Sequence, residues 1–344
     1  MQRDAAGSLR VSLRISSCPP RMRAGGLIIS MDPIDKAKLI EEKLPLLYRQ
    51  LQICHLCPRK CEANRRAGET GFCGAGQDMV VYTAFLHHGE EPGISGGRGS
   101  GTIFFSGCNL KCVYCQNFRF SHTIEGSRVA CEDLARIMVK LQEKGAENIN
   151  LVTPTHFLPW VMDGLAKAFR NGLTLPIVYN TSGYETVETV KVLGDAVDIY
   201  LADMRYVTPS LADRYSRAPD YPEVNQRALR KMSDQKSVVW EGPLLKQGLV
   251  IRHLVLPGCV EETMKALTWV SESTPQALIS LMFQYQPYFK ASLYPEIDRV
   301  VNEEEYGRVM DLLDELDLEG WAQDLLPEED LAGVHFRPSL EGLI

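Results

Sequence analysis

The sequence predicts an α/β fold: six strands, each followed by a helix, forming a (βα)6 sheet that is either a partial barrel or a doubly wound layer. Three observations lead there. Short, continuous apolar runs rich in β-formers recur from Gly101 onward. Amphipathic helical stripes fall between them, and Gly or Asn-Gly stands where several stripes stop. Uninterrupted apolar runs suit strands covered on both faces, and strict strand–helix alternation builds a parallel sheet. In such sheets ligands sit at the carboxyl ends of the strands.

In chain order, the strand runs are 102–106 (TIFFS), 148–153 (NINLVT), 177–180 (IVYN), 197–202 (VDIYLA), 249–256 (LVIRHLVL) and 277–283 (ALISLMF). Between the first and second, Leu134, Ile137, Met138 and Leu141 recur at helical spacing, and Gly145 is placed to stop that helix. Val161, Leu165 and Ala168 make the next stripe, ending near Asn171-Gly172. Val187, Val190 and Leu193 follow, before Gly194. Residues 208–231 are more polar but compatible with helix. Met264, Leu267 and Val270, then Tyr306, Val309, Met310 and Leu313, complete the series. Upstream, Ala37, Ile40, Leu44, Leu47 and Leu51 have helical spacing, with Pro45 expected to kink or split that helix. A cysteine-dense loop (54–76) and the glycine-rich GISGGRGSG (93–101) precede the first strand; an acidic tail (318–344) closes the chain. The expected organisation is an extension at 1–30, a helix plus Cys-rich metal lobe at 31–85, the (βα)6 domain at 86–320 and a tail at 321–344.

Composition narrows the function. A net charge of −7 argues against general affinity for nucleic acid or anionic membrane. Charges, Pro or Gly interrupt every apolar run well short of the ~18 residues of a spanning helix. The first thirty residues hold five arginines against one acid, Asp4. A transit-type peptide fits that composition; the plainer expectation is a disordered or non-native extension, with Met31 opening the protein. Of ten cysteines, seven lie between Cys54 and Cys115. Disulfide scaffolds are short and secreted, so this clustering in a chain of this size reads as metal sites, with the cytoplasm as the default compartment.

GCNLKCVYCQN (107–117) places Cys108, Cys112 and Cys115 as C-x3-C-x2-C directly after the first strand. Three thiolates on one loop can hold three irons of a [4Fe–4S] cubane and leave the fourth open, whereas an electron-transfer ferredoxin supplies a fourth cysteine. A zinc knuckle or plain buried thiols are the alternatives. With this spacing, Tyr114 before the third cysteine and the position after the first strand, the chain resembles the radical S-adenosylmethionine (SAM) superfamily. It is most similar to proteins related to the pyruvate formate-lyase activating enzyme, over roughly residues 50–325.

That resemblance implies that the open iron chelates SAM's methionine part, that one electron from the cluster breaks a carbon–sulfur bond, and that the 5′-deoxyadenosyl radical takes hydrogen from a substrate. It implies adenine packing on Tyr114 and counts Asn117, at the end of the motif, among the SAM contacts. Where activating enzymes carry GGE after the second strand, this chain has VTPTH (152–156), which makes Thr153 the corresponding residue. NTSGY (180–184) matches the SAM-contacting segment, with Asn180 and Ser182 as polar contacts. Asp203-Met204-Arg205 matches Asp-x-Lys, implying that Arg205 meets the SAM carboxylate and that Asp203 can help hold a monovalent cation. RHLVLPG (252–258) makes Arg252 and His253 further candidates, and Gln284-Tyr285 is placed to line the substrate opening. The implied activity is activase-like radical generation on a protein, with a reductant such as flavodoxin or ferredoxin. Radical modification of a peptide or small molecule is an alternative, and a non-catalytic iron–sulfur electron carrier or sensor is another.

Cys54-x2-Cys57-x3-Cys61-x11-Cys73 forms a second set. Four thiolates can close a tetrahedral zinc site or hold a second iron–sulfur cluster, and both stay open. Arg59, Lys60, Arg65 and Arg66 surround it, as a solvated face or a surface for a partner protein. Cys131 and Cys259 have no motif and read as structural thiols.

Overall fold

The computed structural model describes residues 31–325 and 333–344. The expected extension at 1–30 lies outside the described residues.

The chain opens with helix α1 (Pro33–Arg49), capped by the Asp32 side chain, which accepts from Ile34 N at 2.8 Å. Pro45 sits inside it, yet the helix is one continuous element, contrary to expectation. A single proline four residues from the end removes one backbone bond. Ala37, Ile40 and Leu47 bury the other face in the main core, and Lys36–Asp198 and Arg170–Glu41 pin the helix to the sheet layer.

The strands are β1 (Val80–His87), β2 (Ser100–Phe105), β3 (Ser127–Arg128), β4 (Ile149–Val152), β5 (Ile177–Thr181), β6 (Ile199–Asp203), β7 (Val239–Glu241), β8 (Leu244–Leu254), β9 (Leu278–Met282) and β10 (Gly320–Ala322). The helices after α1 are α2 (Pro92–Ser95), α3 (Phe118–Ser121), α4 (Cys131–Glu143), α5 (Leu158–Arg170), α6 (Val187–Leu193), α7 (Pro209–Ser216), α8 (Tyr221–Gln235), α9 (Val260–Ser273) and α10 (Glu303–Glu315). The sheet order is β10-β9-β8-β6-β5-β4-β2-β1-β3, with β7 in a hairpin with β8. From β2 to β10 the pairings along this order are parallel, while β1 and β3 add an antiparallel edge. This is an α/β fold with a mostly parallel sheet in a partial barrel, and all six expected strands are in it. The polar stretch after β6 resolves into two helices, α7 and α8.

Four strands, β1, β3, β7 and β10, lie outside the expected six, and two of them cross expected boundaries. β1 crosses the expected boundary at 85/86 and pairs with β2, and β10 crosses the one at 320/321 and pairs with β9. Both expected boundaries therefore cut through one sheet.

Alternation along the strands sorts side chains between two environments. Ile149, Leu151, Ile177, Tyr179, Tyr200, Ala202, Leu249, Ile251, Ile279 and Leu281 face the helices. Val178, Ile199, Leu201, Val250 and Leu278 face the inside, where Ile94 of α2, 0% exposed, packs among them. The glycine-rich stretch thus enters the partial barrel as a plug. Gly93 and Gly96 permit it, since a Cβ at either would lie 2.8 Å from Trp240 or 2.6 Å from Leu244. No helix among the described residues is long and apolar enough to cross a membrane.

Candidate active site

β2 delivers the chain to Gly107, whose φ of +86° favours glycine and whose added Cβ would sit 2.7 Å from Cys73 O. Cys108, Cys112 and Cys115 follow. Lys111 N and Val113 N donate to Ser216 O and Tyr215 O at 3.3 and 2.8 Å, fastening the loop to α7. Each sulfur has a polar neighbour: Leu110 N donates to Cys108 Sγ at 3.4 Å, Ser216 Oγ to Cys112 Sγ at 3.0 Å, and Ser121 Oγ lies 3.1 Å from Cys115 Sγ. Burial, and then the neighbouring Cys112, pushes the Cys108 thiol up to about 12 and the Cys115 thiol up to about 11. Two such thiols ionise together only beside compensating positive charge, which metal coordination supplies. Among the described residues no three Cys, His, Asp or Glu side chains converge to hold a single ion. A cubane, whose irons each take a separate sulfur, does not require that convergence, and the donor set fits it.

The loop borders a cavity of about 230 Å³ at the carboxyl ends of the parallel strands. The three cysteines line it together with Tyr114, Asn117, Thr153, Asn180, Ser182, Asp203, Arg205 and Arg252. Tyr114 is buried, its hydroxyl 2.5 Å from that of Tyr206. Thr153, at φ +55°, is a β-branched residue in the left-handed region, a strained backbone at the end of β4. Gly183 (φ +71°) lets the chain after β5 pass the next strand end; an added Cβ would lie 2.2 Å from Asp203 O. Asp203 pairs with Arg205, whose Nε is buried without a partner among the described residues. Burial lowers the Arg205 pKa, but Asp203 and the nearby Cys112 outweigh it, so the guanidinium stays charged.

Two sequence candidates differ from expectation. His253 does not line the cavity. Strand alternation turns it to the helix side, where its Nδ1 is 2.6 Å from Met204 O and its Nε2 2.9 Å from Thr263 Oγ1. Arg252 does reach the cavity, but Glu91 takes it bidentately at 2.7 Å per bond and Glu90 pairs with it as well. It is a buried ion pair on the floor made by the α2 plug, not an open cation.

Sequence reasoning missed Glu90, Glu91, Asn150 and His122, which carry no motif of their own. Asn150 Nδ2 donates to Glu90 Oε1 at 2.8 Å. His122 lies 4.6 Å from the Phe289 ring, its Nε2 has no partner among the described residues, and burial depresses it to about 4. Gln284 lines the cavity as expected, joined to Gln323 at 2.8 Å, whereas Tyr285 is buried against Ile297 O.

In the second set, Cys54, Cys57 and Cys73 are buried and Cys61 is exposed. Cys54 N donates to Ala63 O and Glu62 N to Cys54 O, folding the segment back on itself. A Cβ on Gly71 would lie 2.7 Å from Cys61 Sγ and 3.8 Å from Cys73 Sγ, so both sulfurs face that point. The basic residues are not one solvated face. Lys60 and Arg66 are exposed, but Arg65 is fully buried and Arg59 stacks over Phe72 at 3.9 Å while donating to Asn109 O at 2.8 Å.

Residues 102–268 match the family model for the Radical SAM superfamily. Two proteins of Methanocaldococcus jannaschii are similar. The uncharacterized protein MJ0674 is 31% identical over 294 residues, spanning 83% of this chain and 81% of its own length. The uncharacterized protein MJ0808 is 24% identical over 170 residues, 42% of this chain and 48% of its own. Among solved structures, a domain of pyruvate-formate lyase-activating enzyme from Bacteroides vulgatus aligns over 46% of this chain and 86% of that chain, at 13% identity and a TM-score of 0.34. That likeness is too distant to argue from.

Proposed function

The chain belongs to the radical SAM superfamily, and from that premise we propose that it is an activase-like enzyme that makes a radical on a protein substrate. Membership implies a [4Fe–4S] cluster and SAM, with an external one-electron reductant such as flavodoxin or ferredoxin. Held by the residues of this cavity, the cluster and SAM would supply one-electron cleavage of SAM to methionine and a hydrogen-abstracting 5′-deoxyadenosyl group, the electron coming from the external reductant.

The chain's own residues bind, orient and shield. Cys108, Cys112 and Cys115 are the proposed iron ligands. Arg205 offers a guanidinium, fixed on one side by Asp203, to the carboxylate of SAM's methionine part. With Asp203 committed to Arg205, its role is to aim that cation, in preference to holding a monovalent ion. Tyr114, Asn117, Thr153, Asn180 and Ser182 are the remaining proposed SAM contacts. The carrying observation is convergence: three thiols and a half-buried guanidinium, whose buried Nε has no partner among the described residues, face one cavity at the carboxyl ends of the strands. An electron carrier has no need of that cavity, which disfavours the non-catalytic reading. The polar floor of Glu90, Glu91 and Arg252 favours, as a second reading, a small molecule or peptide segment held deep in the barrel.

The test is anaerobic. Reconstituted, reduced protein given SAM is expected to yield 5′-deoxyadenosine and methionine, and replacing any one of the three cysteines by Ala is expected to abolish this. Undiminished turnover in all three variants would overturn the assignment. Deuterium passing from labelled protein or from labelled small molecules into 5′-deoxyadenosine decides between the two substrate readings.

A further inference from the structure

Arg65 is an arginine buried where no carboxylate answers it. It is 0% exposed, its Nε donates to Gly76 O at 2.9 Å and its Nη1 to His156 O at 2.5 Å, and its Nη2 has no partner among the described residues. No ion pair to it is found among them. Its other neighbours are the Trp160 and Phe157 rings, at 5.0 and 5.7 Å. A guanidinium cannot shed its charge by losing a proton, so burial without an anion is strongly unfavourable. Its Nε partner Gly76 lies three residues past Cys73, and its own amide donates to Ala63 O, which also accepts from Cys54 N, so the anion-forming groups beside it are the thiols of Cys54 and Cys73.

Those thiols have the surroundings of metal ligands. Burial pushes the thiols of Cys54, Cys57 and Cys73 up, and the backbone amide two residues further along the chain, at Leu56, Arg59 and Ala75, opposes that rise. Within the cluster loop the same offset recurs, with Leu110 on Cys108 and Asn117 on Cys115. Amides aimed at sulfur stabilise thiolate, which is the form that binds metal.

The geometry points to Cys54, Cys57, Cys61 and Cys73 as ligands of a metal centre with net negative charge, with Arg65 as its buried counter-ion. Four thiolates on a [4Fe–4S] cluster leave an anion of this kind, and a cluster, unlike one zinc, does not need three side chains to converge on a single ion. The centre stands directly behind the proposed active-site cluster. Cys73 O packs on Gly107, the residue before Cys108; Arg65 holds His156 O; and His156 Nε2 is 2.7 Å from Ser106 O. Metal loading of the lobe therefore braces the loop that carries the other three cysteines. None of this depends on the proposed enzymatic activity.

The test starts from the full chain with Cys108, Cys112 and Cys115 all replaced by Ala, purified anaerobically and checked for folding by circular dichroism. Elemental and sulfide analysis is expected to find about four irons with sulfide, which supports the centre, whereas about one zinc without iron overturns the cluster. A folded variant with no bound metal overturns it, as does metal that survives the further changes Cys54→Ser and Cys57→Ser. For the counter-ion, Arg65→Met is expected to lose its metal to a chelator at least about tenfold faster than the parent, with Arg65→Lys close to the parent. Equal rates in all three overturn the role of Arg65. Should Arg65→Met fail to fold, chelation of the parent decides: metal removal is expected to speed amide exchange across residues 54–76 and 106–109, and unchanged exchange overturns the brace.

Discussion

Arg205 and Glu185 carry the most testable chemistry at the scale of single residues. Arg205 is held by Asp203 on one side and keeps a buried Nε without a partner among the described residues. A charge-assisted hydrogen bond contributes about 1.5–3 kcal/mol, so Arg205→Ala is expected to weaken SAM binding at least about tenfold. Anaerobic equilibrium dialysis measures this, with the cluster's visible absorption as the control that should survive; unchanged binding removes the role. Glu185 is wholly enclosed, taking hydroxyl bonds from Thr155 and Thr181 at 2.5 Å each. Burial raises it from 4.5 to about 7 against the lowering by these bonds. The folded protein thus keeps a proton that the unfolded chain releases earlier. The associated stability is complete below the unfolded value and lost as pH rises through about 7, an effect on the order of 3 kcal/mol. Glu185→Gln is expected to flatten stability between about pH 5 and 8 in urea titrations; an equally steep fall in both proteins would assign it to other groups. Neither Glu185's burial nor the turning of His253 away from the cavity is legible from neighbouring residues. Alternation shows that Arg252 and His253 face opposite ways, but which way is inward is set by the sheet.

Elements divide by how much of their burial is local. The six parallel strands and the helices between them were legible because each carries its own period and its own stop, as with α4 and Gly145 at φ +92°. β1, β10 and the α2 plug were not. β10 has three residues, too few to show a period, and α2 has four, with its apolar content concentrated in Ile94. What makes α2 an element is the inside of the barrel around it. Ile94→Ala is therefore expected to cost roughly 2–5 kcal/mol of stability, the range for emptying a core site. A loss below about 1 kcal/mol in denaturant titrations would show that the plug is not part of the core. Pro45 makes the converse point: a local signal against helix is overridden by the packing of Ala37, Ile40 and Leu47.

At the scale of the whole molecule, the last described segment folds back on β1 and β2. Thr83 Oγ1 donates to Ser339 O at 3.1 Å and Tyr82 OH to Phe336 O at 3.0 Å, while Phe336 covers Phe85 and Phe104 and lines the cavity with Gly333. Ending the chain after residue 325 is expected to expose those rings, raise the binding of a hydrophobic dye and loosen SAM binding several-fold; a truncated protein indistinguishable in all three would show the segment to be dispensable. The sequence by itself determined the fold class and the cluster loop, because both are short-range. A strand or helix shows its period within a dozen residues, and three cysteines in eight positions cannot stray far from one another. Only the tertiary structure decided the buried Arg65, the Arg252–Glu91 floor and the Phe336 cover. The bonds that make them join residues 91, 161 and 254 positions apart. A charge or ring reads as surface along the chain until folding brings distant backbone and side chains around it and removes the water that kept it there.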